Sequence, residues 1–154
     1  MRRSIIAAVL ATTLVAGTAL FTAAQASASN GQDALSALRD ATAQFHDIGN
    51  TIASGRTNLN LCVNQMGEHY ADPTTFADGV LDPLNPEAMV YADEGNGQRR
   101  LVAVEWVSTT PGEVMGIPLH LNPALNVYVL HAWIWYPNPA GMFADMNPRV
   151  GNCP

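Results

Sequence analysis

The sequence predicts an α+β fold, with an N-terminal helix packed on a curved, mainly antiparallel sheet of four or five strands. A small closed β-barrel is the alternative. Three observations carry this expectation. One stretch has helical periodicity, the chain after Cys62 reads as short strands, and turn residues punctuate those strands at close intervals.

The helix is expected over 32–54. Leu35, Leu38, Phe45, Ile48 and Ile52 recur at spacings of three, four or seven, which places them on one face. Asn30, with Asp33 three residues later, resembles an N-cap, and Gly55 makes a natural stop. Gly49 weakens the last turn, so a bend or an end is expected there. Candidate strands follow at 62–71, 87–92, 100–108, 115–121 and 126–136. Asp93-Glu94-Gly95-Asn96-Gly97 is a hairpin signal between the second and third. Asn-Pro pairs at 85–86, 122–123, 138–139 and 147–148 mark turns or strand ends. The tail from Pro137 carries Met142, Phe143, Met146 and Val150 among its Asn, Pro and Gly residues, as an ordered loop packed on the core would.

Residues 1–28 have the makeup of a secretory signal peptide. Arg2 and Arg3 precede an uncharged run from Ile5 to Ala24, and two Ala-x-Ala sites end at Ala26 and Ala28. An uncleaved membrane anchor is the alternative. The small-residue end and the polar Ser-Asn-Gly-Gln after it favour cleavage. Residues 29–154, about 125 in number, then suffice for one domain and are too few for two. The expected location is secreted or otherwise extracytoplasmic.

Without Arg2 and Arg3, the seven basic residues fall to five, against thirteen acidic ones, a net charge of −8. Such a surface argues against nucleic acid as a partner, and against a membrane once the signal is removed. Cys62 and Cys153 are the only cysteines, and export makes a disulfide the default reading. A metal-binding or catalytic thiol is the alternative.

Ionisable side chains inside apolar strands are costly to bury unless they find partners, so they point to a site. Glu105 lies within Leu-Val-Ala-Val-Glu-Trp-Val (101–107), His131 within Val-Tyr-Val-Leu-His-Ala-Trp-Ile-Trp-Tyr (127–136), and His69 within Met-Gly-Glu-His-Tyr (66–70). Alternation along a strand puts Leu101, Ala103, Glu105 and Val107 on one face, and Val127, Val129, His131, Trp133 and Trp135 on another. His120 could join from a neighbouring strand. Two or three imidazoles with one carboxylate form the ligand set of divalent zinc, copper, manganese and non-haem iron. The spacing is long-range and matches no local zinc motif. Glu105 paired with His131, Arg99 or Arg100 in a structural network is the bland alternative. Trp133 and Trp135, with Tyr70, could line a pocket for an apolar or planar ligand. Asp72, Asp78 and Asp82 lack the alternation of a calcium loop and read as surface turns.

Several segments together carry a resemblance. These are Met66-Gly67-Glu68-His69-Tyr70, Asp78-Gly79-Val80-Leu81-Asp82-Pro83, Val104-Glu105-Trp106, Leu130-His131-Ala132-Trp133-Ile134-Trp135 and Asn138-Pro139-Ala140-Gly141-Met142-Phe143-Ala144-Asp145. In this order they resemble a family of small uncharacterised exported bacterial proteins, in which Met146 of this chain is replaced by Trp. The resemblance implies an exported domain of shared fold and brings no activity with it. Three functions therefore stand at this stage. They are a secreted metal-binding domain, a metalloenzyme if a coordination position is open; a non-enzymatic pocket for a small apolar or aromatic ligand; and an extracellular structural or interaction module.

Overall fold

The computed structural model describes residues 31–153, so the expected signal peptide and the Asn30 cap lie outside the described residues. A helix, α1, runs over the described residues 31–42, tightens into a 3-10 turn at Ala43–His46, and restarts as α2 at Ile48–Ala53. The interruption falls at Asp47 rather than at Gly49. Asp47 takes an extended conformation, and its carboxylate accepts the Gly49 N–H at 2.8 Å as the cap of α2. The break turns the second helix on its axis. Thr51 is therefore buried, while Ile52, expected on the apolar face, is exposed.

Eight strands follow: β1 (Thr57–Val63), β2 (Gly67–Ala71), β3 (Ala88–Gly95), β4 (Gln98–Ser108), β5 (Glu113–Val114), β6 (Ile117–Pro118), β7 (His120–Asn122) and β8 (Val127–Ala132). Six of them form one curled antiparallel sheet in the order β1-β2-β3-β4-β8-β7, and β5 pairs only with β6. The α+β expectation holds, and the sheet has one strand more than the four or five anticipated. The candidate strand 62–71 is two strands joined by a turn. The candidate 126–136 ends at Ala132. Asn96 and Gly97, both at positive φ, form the two-residue turn between β3 and β4.

The two faces of the sheet differ. Tyr70, Met89, Tyr91, Leu101, Val104, Trp106 and Leu130 form the core under the helices with Leu38 and Phe45. The opposite face holds a smaller cluster of Val90, Val102, Ala103 and Trp133, covered by Met66 and Val150 of the loop and tail. Beside that cluster the face is open. No helix among the described residues is long and apolar enough to cross a membrane.

Two irregularities shape the open side. Val90 pairs with Ala103 but Tyr91 with Leu101, so Val102 is an extra residue in β4. This bulge reverses the alternation. Leu101 lies under the helices instead of sharing a face with Glu105, whereas Ala103, Glu105 and Val107 keep the expected side. In β1 the register shifts between Asn58 and Cys62, and Asn60 has φ +53°. The strand bows out there opposite His69.

Cys62 and Cys153 form the expected disulfide, with a Cα–Cα distance of 5.9 Å. It closes a span of 91 residues, for which loop entropy gives about 4–5 kcal/mol as an upper figure. The tail has further anchors. Asn147 donates its N–H to the Gln65 carbonyl at 2.7 Å, and Trp133 donates its indole N–H to the Ala144 carbonyl.

Candidate metal centre

Register brings the three singled-out residues together on the open face. Glu105 pairs directly with His131 on β8 and with Ala88 on β3, while His69 pairs with Val90 one row along β3. Directly paired residues share a face. Glu105 must reach diagonally across β3 to meet His69, and Ala88, only a methyl group, leaves the room. His69 Nε2 lies 3.6 Å from Glu105 Oε2, and His131 Nε2 lies 3.4 Å from Glu105 Oε1. One donor atom from each of the three residues falls within 4.8 Å of the others, and all three residues are buried.

Each imidazole is oriented from behind. His69 Nδ1 lies 3.2 Å from the Leu61 carbonyl, which the bow in β1 turns toward it. A proton on Nδ1 makes that bond and leaves the Nε2 lone pair facing Glu105. His131 Nδ1 lies 3.6 Å from Asp145 Oδ1, too long for a hydrogen bond but within ion-pair reach. A carbonyl or carboxylate behind a histidine, with its other nitrogen free, is the outer-shell arrangement found at metal sites. His131 Nδ1 and Nε2 and Asp145 Oδ1 are buried and have no hydrogen-bond partner among the described residues.

Burial lowers the pKa of His69, with Glu105 opposing and His131 reinforcing the effect. Its ring is therefore held neutral. Burial alone would depress His131 too, but Glu105 and Asp145 together outweigh it and raise its pKa. Asp145 is held below the usual carboxylate range by His131 and His120.

The donor atoms suit a metal ion. Ligands at about 2.0–2.1 Å in tetrahedral array stand roughly 3.3–3.4 Å apart; here each imidazole approaches a different oxygen of Glu105, at 3.6 and 3.4 Å, and one donor atom from each residue falls within 4.8 Å of the others. Two histidines and one carboxylate also form the facial set used by zinc hydrolases and non-haem iron, which leaves further positions open. His69, Glu105 and His131 line a cavity of about 800 Å³ bordered by β1, β8, the 120–127 loop and the tail.

His120 does not join the three. It is half exposed on β7 and its Nε2 pairs with Asp145 Oδ2 at 3.0 Å. Trp133, Trp135 and Tyr70 do not line the cavity either, because the chain leaves strand geometry after Ala132 and Tyr70 faces the helices. Trp133 stacks beside His131 at 6.3 Å within the smaller core. Trp135 turns to α1, donating to Thr42 Oγ1 at 3.3 Å and meeting His46 edge-on. The arginines offered as partners of Glu105 are engaged elsewhere, Arg99 with Glu68 and Asp93, and Arg100 with Glu94. Asp72, Asp78 and Asp82 each accept the N–H two residues on, as surface turns do.

Three participants escape a reading by strand pattern: Asp145, the Leu61 carbonyl, and a buried pair away from the centre. That pair is Arg56 and Glu87. Arg56 Nε donates to the Glu87 carbonyl, and the Glu87 carboxylate accepts the Val107 N–H at 3.0 Å. Desolvation pushes Glu87 up to about 7. Asp145 carried a signal, an acidic residue between Phe143 and Met146 in an otherwise apolar stretch of a cysteine-anchored tail. No family model, no curated protein and no solved structure matches this chain.

Proposed function

We propose that this protein is a secreted metal-binding domain whose ion is held by His69, Glu105 and His131, with an open side toward the cavity. One observation carries the reading. Two histidines and a carboxylate from three separate strands converge within 4.8 Å inside an apolar sheet, with both imidazole Nδ1 atoms backed by oxygen. His131 stands between Glu105 and Asp145 at 3.4 and 3.6 Å, and neither of its ring nitrogens completes a hydrogen bond among the described residues. A divalent zinc, copper, manganese or iron ion at this place would supply a Lewis acid and an activated water. The chain's own part is to hold Glu105 between two oriented rings, to keep His69 neutral, and to limit water through the apolar walls.

Export is part of the same proposal, as is kinship with the small exported bacterial proteins. The disulfide supports an oxidising compartment, and an N-terminus at Ser27 or Ser29 in protein recovered from outside the cytoplasm would establish signal removal.

Elemental analysis of folded protein, purified without chelator or metal-affinity steps, tests the centre. The expected result is close to one transition-metal ion per chain, lost in His131→Ala. Metal at full occupancy in that variant would reject the assignment.

A further inference from the structure

We infer that the cavity over the centre binds an amphiphilic small molecule, a hydrocarbon body ended by a single metal-ligating head of the carboxylate or hydroxamate type. This rests on the metal reading above and adds the class of ligand.

The volume, about 800 Å³, suits a molecule of many heavy atoms and far exceeds the needs of water or a simple ion. Its chemistry is one-sided. Among the described residues, the ionisable side chains in the lining are His69, Glu105 and His131, joined by Asp145 and His120, and the other polar side chains are Asn60 and Asn122. The remaining lining is apolar, including Leu59, Leu61, Val107 and Val129. Among the described residues no arginine lines the cavity, and the chain has no lysine. A phosphate, sulfate or sugar acid would find no cationic side chain outside the histidines. An anionic head would instead find its counter-charge at the metal, so polarity is wanted at one end of the ligand only.

The mouth repeats the pattern. Leu121, Leu125 and Met146 are 47%, 52% and 42% exposed and all border this cavity. Half of the six large hydrophobic side chains left exposed among the described residues thus surround one opening. Isolated exposed apolar residues are ordinary, but a group around an apolar cavity marks a binding site. The body of the ligand would cover these side chains as its head reaches the floor.

Calorimetric titration of the zinc-loaded, disulfide-intact protein with acetohydroxamate and with octanohydroxamate separates head from body. The two probes share one head, so any difference in affinity comes from six methylenes. With about three to four of those methylenes covered and the rest at the mouth, the expected result is that octanohydroxamate binds about 100-fold more tightly. In a Leu121→Ser/Leu125→Ser variant that preference should fall below tenfold, with zinc content and acetohydroxamate affinity unchanged. Equal affinities for the two probes, or an undiminished preference in the variant, would overturn the inference while leaving the metal reading intact. If the protein takes up no zinc, the metal reading fails instead. Uptake of the uncharged dye Nile red by metal-free protein then decides whether the cavity accepts an apolar body, and no uptake overturns that too. A dimer by gel filtration that octanohydroxamate does not dissociate would assign the mouth to a second copy of the chain, also against the inference.

Discussion

The two faces of the sheet treat buried polar groups in opposite ways. Under the helices each one among the described residues is paired. The Tyr91 hydroxyl lies 2.5 Å from Thr51 Oγ1 and 2.6 Å from the Phe45 carbonyl, and the Trp106 indole donates to the Asp82 carbonyl at 2.8 Å. On the other face, three buried atoms of His131 and Asp145 have no hydrogen-bond partner among the described residues. An unmet buried polar atom costs about 1–3 kcal/mol. The helix face is therefore built for stability, and the open face retains groups that stability alone would not select.

That contrast can be broken from either side. The largest effect is expected at Trp106, fully buried in the helix-side core. Trp106→Ala should cost about 3–5 kcal/mol in denaturant unfolding, while the folded fraction still binds metal at the three residues. A collapse of metal affinity in folded Trp106→Ala would show that the two faces are not separable.

Glu87 gives the next effect. Its folded pKa of about 7 lies above the ordinary value of 4.5, so the folded state holds the proton more tightly. The associated stability is complete below pH 4.5 and is lost as pH rises through 7. By linkage the loss is on the order of 3 kcal/mol. Glu87→Gln should flatten the stability profile across that window, as measured by unfolding at a series of pH values. A profile unchanged from the parent would contradict the assignment.

Tyr91→Phe removes one hydroxyl and strands two partners, and should cost about 1–3 kcal/mol without altering metal binding. Asp145→Asn should do the reverse. Unfolding free energy should change by less than about 1 kcal/mol, since the residue is half exposed, while metal affinity falls about 10–100-fold as the orienting charge behind His131 is lost. Equilibrium dialysis and urea unfolding of both variants test the pair together.

Much of this was legible in the residues because burial of charge is rare enough to notice. Glu105 and His131 announced themselves as single ionisable members of apolar strands, and alternation correctly assigned both to inward positions. The helix periodicity located Leu38 and Phe45. What alternation could not reveal was where it is interrupted. The extra residue at Val102 moved Leu101 to the other face, and the end of β8 at Ala132 separated Trp133 from Trp135. Asp47 caps a new helix because its carboxylate can reach Gly49 N, a local bond that competed successfully with the expected weakness at Gly49. Asp145 acts from an irregular segment, which has no period to read, and Glu87, first residue of the expected strand 87–92, stands just before β3.

The most direct measurement is cobalt(II) titration of chelator-treated protein, followed by visible absorption, for the parent and for His69→Ala, Glu105→Gln, His131→Ala and His120→Ala. Ligation by His69, Glu105 and His131 gives d–d bands saturating near one equivalent in the parent and in His120→Ala, and abolished in the other three. Bands that persist in all three, or that fail to appear in the parent, would contradict it.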